Sequence, residues 1–312
     1  MTAAATRTGA ARPAPPSRPP RRRRRRGEPW LDWMTLPALI VLAVVIAYPI
    51  VRTVIVSFYD YPLLMPSHEF IGARNYERLA ADPVFWTSLR STAVFTVASV
   101  VGGMLIGLAL ALVTERLRGP WQLLRGALLT PWAIPVIVVA FLFRFMFEER
   151  GGVVDAVLLR THVTGSSVPW LTNGDWALAS VIIANVWSQA PFFLLVFTAA
   201  LAAVPGEVVE AARIDRAGTW TMITRIKLPF LRGAALVGAL LMTIQNFNNF
   251  PLIWAMTEGG PAYSTTTLVV YVYRLAFTKY DLGYASAVGF VWLVLLLGIA
   301  VLFIRVLRGR TA

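Results

Sequence analysis

The sequence predicts an all-α fold, a polytopic membrane protein with six transmembrane helices. Three observations carry that prediction. The chain is 57% hydrophobic and only 14% charged, a balance foreign to soluble domains. Six apolar runs are each long enough to cross a hydrocarbon core about 30 Å thick. The Lys and Arg residues gather in alternate connections between those runs, as the positive-inside rule requires of a multi-span protein.

Before about Trp30 the chain is an arm of Ala, Pro, Thr and Arg that ends in Arg21–Arg26. Such a segment cannot bury enough apolar surface to fold, so residues 1–30 are expected to be a disordered basic arm. Six consecutive arginines directly before a span suit anionic lipid headgroups, and nucleic acid is not an expected partner. No small-residue cleavage site follows the first apolar run, which is therefore expected to be retained as a span. Residues 31–312 form the six-helix transmembrane domain.

The spans are expected near Leu36–Phe58, Ser91–Val113, Ala127–Phe147, Ala177–Ala203, Ala234–Met256 and Tyr284–Ile304. An even number puts both termini on one side. Of the 29 Lys and Arg residues, 20 lie in the arm, the 114–125 loop, the central loop and the tail, against seven in the three opposite loops. Both termini and the central loop are thus expected in the cytoplasm of a plasma-membrane protein. Arg52 and Arg144 lie near outer span ends, where long side chains can reach the headgroups.

The central loop, Pro205–Pro229, has a helical pattern of its own. Val208, Ala211, Ala212 and Ile214 offer small and branched apolar contacts, while Glu207, Glu210, Arg213 and Arg216 project elsewhere. Gly218 interrupts the pattern, and Trp220, Ile223, Ile226 and Leu228 begin a second one that Pro229 is expected to end. Two short helices about a glycine corner make a compact knob suited to a cleft on another protein.

The fifth span is the least suited to lipid. Gln245, Asn246, Asn248 and Asn249 place four amides within five residues. An unpaired amide in hydrocarbon costs several kcal/mol, so these must face other helices or a water-filled cavity. At about 100° per residue Gln245 and Asn249 nearly align. Phe247 and Phe250 share the remaining surface, and Pro251 is expected to open a kink that frees the carbonyl near Phe247. Amides with aromatic rings suit a neutral polyol; interhelical hydrogen bonds are the alternative use. In the fourth span Asn185 and Gln189 share a face beside Ser188 and Pro191, with the same two uses open.

These residues also carry a family resemblance. Glu210-Ala211-Ala212, Asp215, Ala217 and Ile226-x-Leu228-Pro229 resemble the EAA loop of binding-protein-dependent ABC importer permeases. Arg216 stands where that family usually has glycine, and Gly218 is read as the substitute corner. F-I-G-A-R-N-Y, from Phe70 to Tyr76, and T-E-G-G-P, from Thr257 to Pro261, resemble signatures of the carbohydrate-uptake group, the maltose/glycerol-phosphate type. F-N-N-F from Phe247 to Phe250 is similar to the maltose-type subunit, although Pro251 stands where many of the group have Asp.

The resemblance implies the type I ABC importer permease fold and the import of a carbohydrate, a di- or oligosaccharide. It implies a second homologous permease, an ATP-binding subunit dimer, an extracellular solute-binding protein and surrounding lipid as partners. Glu210, Ala211, Ala212, Asp215, Gly218 and Pro229 become the ATPase-coupling residues. Gln245, Asn246, Phe247, Asn248, Asn249, Phe250, Asn185 and Gln189 become the candidate sugar contacts.

Other classes fit poorly. The only lysines, Lys227 and Lys279, follow Ile226 and Thr278, so there is no Gly-Lys-Ser/Thr phosphate loop and ATP is expected on a separate subunit. No cofactor is expected. Cysteine is absent and the two histidines, His68 and His162, are far apart, which leaves no thiolate or imidazole metal cluster. No catalytic constellation marks an intramembrane enzyme. An ion-coupled secondary transporter is the alternative, but no Asp or Glu falls within an expected span.

Overall fold

The computed structural model describes residues 29–308, apart from 67, 116, 118, 120 and 121. Contacts divide the chain between Ile50 and Val51. The first unit holds α1 (Pro29–Leu42), a π-helical stretch (Ala43–Ala47) and the opening turn of α2 (Tyr48–Val56). All its residues from Thr35 to Ile50 are exposed, an apolar surface fit for lipid. The basic arm expected over 1–30 lies outside the described residues, except that Pro29 and Trp30 already belong to α1.

The second unit opens on a two-residue antiparallel pair, β1 (Tyr59–Asp60) with β2 (Glu69–Phe70), in which Tyr59 faces Phe70. Helices follow: α3 (Arg74–Ala81), α4 (Pro83–Thr114), α5 (Gln122–Ala133), α6 (Val136–Met146), α7 (Val153–Arg160), α8 (Gly174–Ala202) and α9 (Gly206–Ile214). Then come α10 (Thr219–Thr221), α11 (Leu228–Phe247), α12 (Phe250–Thr257), α13 (Leu268–Tyr273) and α14 (Leu282–Arg308).

Among the described residues five helical stretches can cross a membrane by length and composition. They are Thr35–Val56, Pro83–Thr114, Gly174–Ala202, Thr219–Phe247 and Leu282–Arg308. The expected third span is a broken pair: Leu123–Ala133 and Val136–Met146 meet at 92°. Pro135 lacks an N–H and disfavours helix at Ile134 before it, so the turn opens there. Counting that pair as one crossing gives six.

Two other expected boundaries move. α4 starts at Pro83 rather than Ser91, because Asp82 caps it through Oδ1, which accepts from Val84 N at 2.9 Å. The fifth crossing is Thr219–Phe247, shifted toward the central loop from the expected Ala234–Met256. Pro229 does not end a helix. It sits in the first turn of α11, directly after a π-helical stretch over Met222–Lys227. A wider turn accommodates the carbonyl that proline leaves without a donor.

The spine of the second unit is α4 against α8. The buried face of α4 is small: Ser88, Ser91, Thr92, Ser99, Gly103, Gly107 and Ala111, with Phe95 and Val100 between. Phe193 of α8 fills the space this leaves. A Cβ at Gly107 would stand 2.4 Å from Phe193 Cβ and 2.8 Å from both Ala190 O and Leu194 N. Small residues let two backbones approach, and in lipid that packing is what holds helices together. Replacing Gly107 with Ala is expected to cost about 1–3 kcal/mol through overpacking. Gly233→Ala on α11, where nothing lies within 4 Å of the added carbon, is expected to be neutral. Thermal unfolding of the two purified variants in the same detergent compares them directly.

Candidate functional site

Two apolar clusters bracket the amides. On one side Val181 and Ala184 of α8 pack with Phe95, Phe143, Leu252 and Ile253. On the other, Phe193, Leu194 and Phe197 pack with Val100, Leu231 and Met242. Asn185 and Gln189 lie between these sets on α8, opposite Asn246 near the end of α11. All three are buried, Asn185 and Asn246 to 1% exposure. Asn185 Nδ2 donates to Asn246 Oδ1 at 2.9 Å, and Gln189 Nε2 donates to Asn185 Oδ1 at 3.0 Å. Gln189 Nε2 also reaches Asn246 Oδ1 at 2.5 Å, and Asn249 Nδ2 donates to Asn185 Oδ1 at 3.1 Å.

Beside this knot α11 stops. Pro251 was expected to kink a continuous helix; instead the helix ends at Phe247 and α12 restarts at Phe250. Asn249 is the new N-cap, its Oδ1 accepting from Leu252 N at 3.4 Å, with Pro251 in the first turn behind it. Asn248 folds back to donate to Ile244 O at 2.8 Å. The break and the 92° bend of α5–α6 leave a cavity of about 420 Å³. Gln245, Asn248, Asn249, Ser188 and Trp132 line it, with the buried Asn185 and Gln189 behind them. None of its lining side chains is ionisable.

The candidate sugar contacts therefore divide. Gln245 and Asn248 are exposed to the cavity and Asn249 partly so. Asn246 is a helix-to-helix bond. Phe247 is buried, and Phe250 stacks on Trp254 with ring centroids 5.3 Å apart and lies 4.7 Å from Tyr273; neither lines the cavity. The two-residue break turns both rings off the course that an unbroken helix would have given them. Trp132, half exposed in the cavity wall, is masked in the sequence by a stretch that looks uniformly apolar. The prolines that flank it, Pro131 and Pro135, are the available signal.

The knob over Pro205–Pro229 is built differently from its expected form. Glu210, Ala211, Asp215, Gly218 and Pro229 are exposed and Ala212 is buried. Ile214 and Trp220, at 82% and 76% exposure, present apolar surface outward. The corner residue is Arg216, not Gly218. Arg216 has φ 54°, in the left-handed region, while Gly218 has an ordinary extended φ of −66°. Arg216 N donates to Arg213 O at 3.0 Å and Ala217 N to Ala212 O at 2.9 Å. This is a Schellman C-cap, whose left-handed position favours glycine because a Cβ is strained there.

Residues 103–310 match the family described as "Binding-protein-dependent transport system inner membrane component". The chain belongs to that family. It is 33% identical over 294 residues to the sulfoquinovosyl glycerol transport system permease protein SmoG of Agrobacterium fabrum, covering 90% of this chain and 94% of that protein. It is 34% identical to the trehalose/maltose transport system permease protein MalF of Thermococcus litoralis, covering 89% and 93%. Its fold is similar to that of a chain in the crystal structure of a bacterial ABC transporter involved in the import of the acidic polysaccharide alginate. There the TM-score is 0.75 at 23% identity, covering 91% of this chain and 96% of that one.

This membership to a transport permease family favours the importer reading over the ion-coupled alternative. The F-I-G-A-R-N-Y and T-E-G-G-P segments prove to be joints. Asn75 Nδ2 donates to Ser57 O and Tyr59 O at 2.9 and 3.0 Å, and Tyr76 Oη pairs with Ser57 Oγ at 2.6 Å. In the T-E-G-G-P segment Thr265 Oγ1 donates to Gly260 O and Thr266 Oγ1 to Gly259 O, so the loop is bonded to itself. Arg144, a residue able to reach the headgroups by its sequence position, has Nη1 donating to Ala255 O at 3.0 Å.

Asp82, at the start of α4, joins α13 and α14: the hydroxyls of Tyr271 and Tyr284 both donate to its Oδ2. Burial pushes its carboxyl up, but those hydroxyls and the N–H groups of Val84 and Phe85 outweigh it and hold the group below its ordinary value. Asp155 is likewise held low by Ser167 and the Val168 N–H.

The corner geometry makes a direct prediction. Arg216→Gly removes a strained Cβ and should raise stability by about 1 kcal/mol. Gly218→Val should leave stability unchanged, because φ is ordinary and no atom lies within 4 Å of the new Cβ. Melting curves of the purified variants test both; a larger loss at Gly218 would return the corner to that residue.

Proposed function

We propose that this chain is the permease subunit of an ATP-driven importer that carries a carbohydrate, a di- or oligosaccharide, into the cytoplasm. The observation that carries the reading is the uncharged, amide-lined cavity at the break between α11 and α12. Amides and hydroxyls supply donors and acceptors for sugar hydroxyls, and the Trp132 ring gives an apolar face for sugar C–H groups. Family membership and relatives named for sugar transport support the same substrate class.

In this reading a second, homologous permease completes the cavity and an extracellular solute-binding protein delivers the sugar to the outer loops. An ATP-hydrolysing dimer docks on the knob at Pro205–Pro229. ATP binds those subunits, not this chain. Glu210 supplies a charged contact, Ile214 and Trp220 supply apolar anchors, and closure of the ATPase moves the knob and with it α8 and α11. Both termini lie in the cytoplasm.

Substrate lining and helix bridging separate by mutation. Gln245→Ala should lower uptake or change sugar preference while melting temperature stays near that of the parent, since water fills the vacated space. Asn246→Ala strands the buried amides of Asn185 and Gln189 and should destabilise the protein by roughly 1 to 3 kcal/mol whatever sugar is present. Uptake assays against a sugar panel, paired with thermal melts, read the two apart. A Gln245→Ala variant with unchanged uptake and preference would move the sugar site elsewhere.

Orientation is tested by tags. A tag near Thr219 or at the C-terminus should be reachable only in opened cells, and a tag near Ser166 in intact ones. Labelling of the Thr219 tag in intact cells would reverse the orientation.

A further inference from the structure

The cytoplasmic end of α4 carries Glu115, whose carboxylate pairs with Lys227 Nζ at 2.5 Å. The two residues are 112 positions apart in sequence. Lys227 is the last residue of the π-helical stretch that leads into α11. Its side chain is 15% exposed and that of Glu115 33%, so the pair is partly withdrawn from water. Around it lies a cleft of about 480 Å³, walled by Arg213 and Val209 of α9 and by Thr219 and Met222 at the head of the fifth crossing. The end of α4 is itself held firm, since Arg125 Nη2 donates to Thr114 O at 2.6 Å.

The placement is specific. α9, the first helix of the knob, is joined by short connections to α8 and to the α10–α11 segment, and those two elements carry the cavity amides Asn185, Gln189 and Gln245. The third element at the spine, α4, has no backbone link to the knob. It packs on α11 through the apolar cluster of Val100, Ala111, Leu231 and Met242, and at its end the Glu115–Lys227 pair ties it to the head of that crossing. A partly exposed ion pair contributes little to global stability, and this one stands where it fixes an angle between packed elements. We propose that Glu115 and Lys227 are positioning residues for transport: an ionic strap that holds the root of the knob to the α4–α8 spine, so that displacement of the knob shifts the spans instead of being absorbed at the π-helical turn.

This inference rests on the importer reading, and two measurements keep them separable. The chain has no native cysteine, so Glu207→Cys on the knob and Val113→Cys at the end of α4, both exposed, accept spin labels at those two positions alone within this chain. With the strap intact, the label-to-label distance in the assembled complex should be a single narrow distribution. Lys227→Glu, or the milder Lys227→Gln, should broaden it. The swap Glu115→Lys with Lys227→Glu should narrow it again.

In proteoliposomes holding the complete complex and its binding protein, the single changes should lower sugar moved per ATP hydrolysed by roughly fivefold or more. Basal ATP hydrolysis should persist, and the swap should recover transport. A merely structural pair would lower melting temperature without changing the ratio of sugar to ATP. The proposal is overturned if the single variants keep both the narrow distance and the parental ratio, or if the swap restores neither. If the distances respond as expected while the parent complex moves no sugar from the panel, the strap stands and the importer reading fails.

Discussion

An amide enclosed by hydrocarbon is tolerated only with a partner or with water, and this protein uses both answers within a few residues. Asn185, Gln189 and Asn246 satisfy one another between two apolar clusters. Gln245 and Asn248 face the cavity. The buried set fixes where α8 and α11 touch, and that contact determines where the cavity-facing set is presented. An apolar pair of helices could slide past one another by a turn; hydrogen-bonded amides resist that slip because each wrong register strands several polar groups.

Proline decides where the helices stop. Pro135 separates α5 from α6, and Pro251 restarts the chain after the break that follows Phe247. Each leaves irregular backbone within an apolar run, which in a membrane is tolerated where it lines a cavity instead of facing lipid. The break beside Asn249 is stabilised locally, because the same side chain caps α12 and bonds to Asn185. The cavity is therefore a consequence of where backbone donors are missing, and its polarity a consequence of the side chains that repair the loss.

The knob combines a strained cap with outward apolar groups. Arg216 occupies a left-handed position that glycine would fill without strain, and Ile214 and Trp220 are left uncovered by this chain. The root of the knob is held by packing around buried Ala212 and by the pair between Glu115 and Lys227. Its outer surface is thus free to meet a partner while its base stays registered to the spine.

The sequence by itself determined the helical class, the number of crossings, the position of the knob and the presence of a polar segment in the fifth apolar run. Those features follow from local quantities: runs of apolar residues, the sidedness of Lys and Arg, and amides where lipid would reject them. Tertiary structure alone decided which amides bond to each other and which face open space. Asn246 and Gln245 are neighbours in sequence, and only the approach of α8 separates their roles. It also decided that Phe247 and Phe250 turn away while Trp132 turns in, because a break of two residues and a bend of 92° redirect side chains that an unbroken helix would have placed otherwise. The left-handed corner at Arg216 rather than Gly218 belongs to the same group: a backbone angle is set by the hydrogen bonds that close a helix end, and residue type only raises or lowers its cost.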